Sequence, residues 1–158
     1  MYSALEVARH IVKYCNDHDY IVSNLKLQKL LYFVQAYFLI KSPKKKPCFS
    51  DTIEAWDFGP VVPVVYSEFK RFGGTSIPRV PDYYDDHNGV NEPIEFVDNS
   101  ISKHDKKLID EVIEKFKWFT APDLVKLTHN QAPWKEVYFK NGDKVITVEA
   151  MRKYFTNA

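Results

Sequence analysis

The chain reads as one mainly α-helical domain with a small β element of two or three short strands. Three observations predict this. The stretch Ser23 to Ile40 carries Leu25, Leu27, Leu30, Leu31, Phe33, Val34, Ala36, Phe38, Leu39 and Ile40 with no Gly or Pro, the mark of a helix enclosed by other elements. Ser3-x-x-Glu6, Ser102-x-x-Asp105 and Thr120-x-x-Asp123 each precede a run with apolar residues at helical spacing, which is how a capped helix start is written. Only one segment, Ile53 to Phe58, alternates apolar and polar residues as a half-buried strand does.

Taken in order, the first helix runs from about Ala4 to Asp17, with Ala4, Ala8, Ile11, Val12 and Cys15 inward. The central helix follows, capped by Ser23 or Asn24. Its one polar stripe, Gln28, Tyr32 and Gln35, sits at i, i+4 and i+7 on a shared face. These side chains either hydrogen-bond to neighbouring loops or line a recognition surface. Lys41 to Pro47 is a basic loop read as solvated surface. After the strand, Gly59-Pro60 is read as the turn into a helix that Pro63 starts and Gly73-Gly74 stops, with Val65, Phe69 and Phe72 as its stripe. Thr75 to Asn99 reads as a long loop with a small strand at Ile94 to Val97. A helix from Ser102 to about Trp118, a short one from Thr120 to Leu127 or Thr128, and a turn at Pro133 bearing Trp134 come next. Val145-Ile146 is expected to pair with the earlier strand, and Thr147 caps a last helix lined by Val148, Met151 and Phe155.

The totals narrow the function. The chain has 158 residues, 45% of them hydrophobic and 15% aromatic, enough for a sizeable core and contrary to disorder. With 22 basic and 21 acidic residues the net charge is +1, so no general field draws nucleic acid or an anionic membrane. The two helices around Asn16 to Asp19 do not read as a DNA-reading pair, because the second is too apolar to lie in a groove. MYSALEVARHI lacks a basic start followed by a continuous apolar run, and a cytoplasmic location with reduced thiols is expected.

No catalytic, cofactor or metal site is assigned. G-x-S-x-G, H-E-x-x-H, P-loop and G-x-G-x-x-G patterns are missing. Cys15 and His18 make half a zinc site with no second half, and Asp85, Asp86 and His87 read as solvated loop. His129 stands at a helix end, where the dipole favours its cation; it is read as a capping or packing residue, and a general-base role would require an acid such as Asp57 beside it.

Three segments carry more information than any residue type. They are Leu27-Gln28-Lys29-Leu30-Leu31-Tyr32-Phe33; Ala55-Trp56-Asp57-Phe58-Gly59-Pro60-Val61-Val62-Pro63-Val64-Val65-Tyr66 with Phe69-Lys70-Arg71-Phe72-Gly73; and Leu127-Thr128-His129 with Pro133-Trp134. In this order they resemble the Panacea domain, a family that includes SocA-like antitoxins and GepA-like phage-associated proteins. The W-x-x-GPV-x-P-x-VY block is the specific part, and the resemblance runs from Ala4 to about Phe155. It implies a helical antitoxin that neutralises a cognate toxin protein by direct binding. It also implies a second kind of partner, a AAA+ protease to which an adaptor of this family hands its toxin. The family offers no catalytic residues to carry over. The candidate partner-binding residues are Gln28, Tyr32, Gln35, Trp56, Asp57, Phe58, Gly59, Pro60, Thr128, His129 and Trp134, with a groove expected beside the central helix, edged by Gln28, Tyr32, Gln35, Trp56 and Trp134.

Overall fold

The fold is mainly helical, and it is organised around one apolar helix. A computed structural model of the chain describes residues 1–79, 84–85, 92–93 and 100–157. The first helix, α1 (Ala4–Asp17), opens with a complete capping box: the Ser3 hydroxyl accepts from the Glu6 N–H while the Glu6 carboxylate accepts from the Ser3 N–H. The second, α2 (Asn24–Lys41), is capped by Ser23, whose side chain accepts from the Lys26 N–H. Fourteen of its 18 residues are buried, so α2 has no solvent face of its own and every element that touches it must bury a stripe against it.

A hairpin follows. Strand β1 (Ile53–Trp56) pairs antiparallel with β2 (Gly59–Val61), in the register Glu54↔Val61, Ala55↔Pro60 and Trp56↔Gly59. Here the structure corrects the expectation for Gly59-Pro60: the turn is Asp57-Phe58, and Gly59 and Pro60 belong to the second strand. A proline fits there because β2 is at the edge of its sheet, where no further strand requires its missing N–H. Helix α3 (Pro63–Phe69) starts on Pro63 and runs into a 3₁₀ turn at Lys70–Phe72, ended by Gly73 at φ +58°. Two short strands, β3 (Tyr84–Asp85) and β4 (Glu92–Pro93), pair antiparallel. Asp86 and His87 of the acidic run, and the strand expected at Ile94–Val97, lie outside the described residues.

Helix α4 (Lys103–Phe116) is capped by Ser102, and α5 (Ala121–His129) by a second full capping box between Thr120 and Asp123. The turn expected at Pro133 is a helix, α6 (Ala132–Tyr138), with the proline in its first turn, where its missing N–H costs nothing. Strand β5 (Val145–Ile146) pairs with the other edge of β1, as expected, and the sheet order is β2-β1-β5. The last helix, α7 (Val148–Thr156), is capped by Thr147.

Helices α1, α3, α4, α5 and α7 and strand β2 all pack on α2. The core so formed includes Ile11, Leu27, Leu30, Leu31, Leu39, Phe69, Ile109 and Ile113, all essentially inaccessible. Polar edges of α4 are tied to the first helices by aromatic hydroxyls and an imidazole: Tyr14 and Tyr20 donate to Glu114, and His10 lies 2.6 Å from Asp110. Cys15 and Cys48 are buried and unpaired with each other; burial pushes the Cys15 thiol up to about 12 and the Cys48 thiol upward as well. Among the described residues, no helix is long and apolar enough to cross a membrane.

Candidate functional site

The polar stripe of α2 works inward. Gln28, Tyr32 and Gln35 are 1%, 0% and 2% exposed, and each is hydrogen-bonded. Gln28 Oε1 accepts from the Val62 N–H at 2.9 Å, and its Nε2 donates to Asn24 Oδ1. The Tyr32 hydroxyl donates to Gln131 Oε1 at 2.8 Å. Gln35 Oε1 accepts from the N–H groups of Cys48 and Phe49, and its Nε2 donates to the Phe49 carbonyl. These are the internal bonds one of the two readings called for: the central helix satisfies backbone groups of two loops, at Val62 and at Cys48-Phe49, and the Gln131 side chain in a third. The groove expected along all five residues is therefore not formed. Tyr32 and Gln35 border no surface shared with Trp56, and Trp134, 4% exposed, is a support rather than an edge.

What the structure does bring together is the hairpin and the two short motifs at its flanks. On one flank, α5 and α6 present three stacked rings. His129 lies on Trp134 with centroids 4.0 Å apart, and Trp134 lies on Tyr138 at 4.5 Å. Each ring bonds the hairpin tip. Trp134 Nε1 donates to the Trp56 carbonyl at 2.8 Å, His129 Nε2 lies 3.0 Å from the Asp57 carbonyl, and the Tyr138 hydroxyl donates to Asp57 Oδ1 at 2.6 Å. A carbonyl only accepts, so His129 carries its proton on Nε2. The bond to Asp57 raises the pKa of the Tyr138 hydroxyl. His129 and Asp57 do meet, but through the Asp57 backbone; the carboxylate belongs to Tyr138, so the pair is not an acid–base couple.

On the other flank, α2 holds β2. Gln28 takes the Val62 N–H, and the next residue, Lys29, donates its amine to the Pro60 carbonyl at 3.0 Å. Lys29 is fully buried. Its side chain crosses Gly59 so closely that a Cβ built there would stand 2.6 Å from Lys29 Cε and 2.8 Å from Thr128 Oγ1. Gly59 also has φ +106°, a conformation favourable only without a side chain. Thr128 is itself buried and spends its hydroxyl on the Leu124 and Val125 carbonyls of α5. The glycine of the motif is thus required twice, by its backbone angle and by the lysine that passes over it.

Clamped from both sides, the hairpin turns its remaining side chains outward. Phe58 is 65% exposed, and Trp56 meets Tyr66 edge-on at 5.1 Å. Beside them opens a pocket of about 430 Å³ whose walls include Leu25, Trp56, Phe58, Val61, Tyr66 and Tyr138. Large rigid rings around a concavity offer contact area at low entropic cost. Of the residues singled out from sequence, Gln28, Trp56, Asp57 and Phe58 line this pocket, while Gly59, Pro60, Thr128, His129 and Trp134 build the frame around it. Tyr138 and Lys29 were missed as site residues. The signal for Lys29 was present, a cation within a helix enclosed by other elements; Tyr138 had none, since only the turn of α6 aligns it with Trp134. Among the described residues, no group of three or more His, Cys, Asp or Glu side chains is placed to hold a metal.

The match to a known family spans these same motif segments. The family model described as antitoxin SocA-like, Panacea domain, matches residues 27–135. Antitoxin SocA of Caulobacter vibrioides is 51% identical over 55 residues, which are 35% of this chain and 28% of that protein. No solved structure matches the chain.

Proposed function

The chain belongs to the SocA-like antitoxin family with the Panacea domain, and from that premise we propose that it neutralises a cognate toxin by direct protein–protein binding, without catalysis of its own. The observation that carries the reading is the use the fold makes of the three sequence motifs. All of them converge on one hairpin, and the outcome is an exposed aromatic tip above a pocket rather than a cluster of reactive groups. A partner segment placing one or two large apolar side chains between Trp56, Phe58 and Tyr66 covers apolar surface that otherwise faces water, worth about 25 cal/mol per Å².

The test is coexpression with the product of the adjacent gene. Neutralisation and copurification with the wild-type chain, both lost with Phe58→Asp while the fold persists, support the proposal. A neighbour that stays fully toxic and does not copurify would overturn it. Phe58 suits the purpose because it is exposed, so its replacement leaves the core intact.

A second reading, delivery of the partner to a AAA+ protease, is favoured by one observation. Ile21, Trp118 and Phe119 are 74%, 78% and 40% exposed and border a separate pocket that shares no residue with the first. An adaptor requires two such surfaces, a neutralising binder only one. Partner half-life in cells with and without this chain separates the two: shortening supports the adaptor, and an unchanged half-life supports simple sequestration.

A further inference from the structure

The surface proposed above is held in place by a buried amine that has no counter-ion among the described residues. We infer that Lys29 is a positioning residue for this surface: its amine latches the outer edge of the β1–β2 hairpin to α2, and gaining a proton loosens that latch. The inference rests on the proposed binding role of the hairpin only for its consequence; the latch itself is a property of the free chain.

The geometry is specific. Lys29 Nζ donates to the Pro60 carbonyl on the side of β2 that no strand covers, next to the Val62 N–H taken by Gln28. Two consecutive residues of one helix therefore supply hydrogen bonds that a further strand at this edge would have made. The Lys29 side chain is also sealed. β2 lies over it with the Gly59 backbone, and α5 closes it with the Thr128 hydroxyl, which is already donated into α5.

The charged groups around it are engaged or directed elsewhere. On α2, the Lys26 amine donates to the Lys117 carbonyl. At the hairpin turn, the Asp57 carboxylate takes the Tyr138 hydroxyl. On α5, Asp123 is bound to its own cap at Thr120, Lys126 is exposed, and the His129 imidazole faces the Asp57 carbonyl. Burial therefore acts on Lys29 unopposed, drawing its pKa down to about 7.

A neutral amine still donates to Pro60, so the docked hairpin tolerates the uncharged form. An ammonium in the same place lacks both water and an anion. Its escape to solvent requires β2 to lift off α2. Undocking returns the lysine to its ordinary pKa, and linkage then demands that protonation favour the undocked state. Because Trp56 and Phe58 are carried on that hairpin, acidification is expected to weaken the surface they form.

The experiment follows lysine ¹³Cε and backbone ¹⁵N resonances of the full chain across neutral pH, with no partner present. One Cε signal, absent from Lys29→Met, is expected to titrate within about one unit of 7, while solvated lysines titrate near 10.4. The amides of Gly59, Val61 and Val62 are expected to shift with the same midpoint. That shift should persist in His129→Gln, which removes the nearby imidazole, and vanish in Lys29→Met. Lys29→Arg, which keeps its proton, should hold these amides at their acid positions throughout. The inference is overturned if every lysine titrates near its solution value, if the amide shift survives in Lys29→Met, or if it disappears in His129→Gln. Failure to capture a toxin would leave this titration untouched, so the two proposals fall separately.

Discussion

Gly59→Ala is the sharpest single test of how the site is built. The substitution adds one methyl group, and the structure divides its cost into two parts. The backbone at φ +106° must be held in a conformation that L-residues avoid, at about 1–3 kcal/mol. The new Cβ would also lie 2.6 Å from Lys29 Cε and 2.8 Å from Thr128 Oγ1. The lysine methylene is flexible, but its amine is tied to Pro60 and its surroundings are closed. Thr128 cannot swing aside without giving up its bonds to the Leu124 and Val125 carbonyls. Overpacking of this kind costs about 1–3 kcal/mol. The sum, about 2–6 kcal/mol, is a large part of the stability of an ordinary domain and corresponds to a drop in Tm of roughly 5–20 °C for a chain of this size. Gly142→Ala is the control. Gly142 has nearly the same φ, +103°, but an added Cβ meets nothing within 4 Å, so only the backbone part applies. Urea denaturation of the two variants should therefore differ by about 1–3 kcal/mol. If Gly59→Ala is no more costly than Gly142→Ala, the close passage of Lys29 over β2 is wrong.

Other expectations follow from the same contacts. Lys29 has its pKa depressed on folding, so the unfolded chain holds the extra proton between about pH 7 and the ordinary lysine value. Wild-type stability relative to Lys29→Met should accordingly rise with pH over that interval, by at most about 1.4 kcal/mol per unit; taking the difference cancels the opposing alkaline titration of the two buried thiols. A flat difference would refute it. Gln35→Leu strands the N–H groups of Cys48 and Phe49 and the Phe49 carbonyl, and should cost about 2–4 kcal/mol in denaturant titration. Cys15 and Cys48, 2% and 1% exposed with thiol pKa values pushed up, should resist iodoacetamide in the native chain at mildly alkaline pH and react fully in urea, as mass spectrometry would show. Trp134→Phe keeps most of the stacked ring but loses the bond to the Trp56 carbonyl, and should cost about 1 kcal/mol with a change in the near-ultraviolet circular dichroism of the hairpin tryptophan.

Much of the fold was legible along the chain because it is local. Caps at Ser3, Ser23, Ser102, Thr120 and Thr147 act within one helical turn, and each stands where the serine, threonine and acid spacing put it. The burial of α2 followed from its apolar periodicity, and the pairing of β5 with β1 from the shortage of other strands. The errors lay where a choice depended on a partner far along the chain. Gly59-Pro60 carries every local mark of a turn, and the strand it forms is held by Lys29 and Gln28 of α2, whose bonds to Pro60 and Val62 span 31 and 34 residues. Pro133-Trp134 carries the marks of a turn as well, and its helix is docked by the Trp134 Nε1 bond to the Trp56 carbonyl, 78 residues away.

What could be read along the chain was a mainly helical domain with an enclosed central helix and aromatic residues concentrated in three short motifs. It could be read because propensity, capping and periodicity are interactions among near neighbours. Which polar and aromatic groups face inward emerges once the elements are packed together. Gln28 and Lys29 look alike as interruptions of an apolar helix, whether they reach water or the edge of a strand 31 residues away. A hydrogen bond at that separation leaves no periodic trace, since the loop between them is free to vary, and it exists only once the hairpin has been folded against the helix.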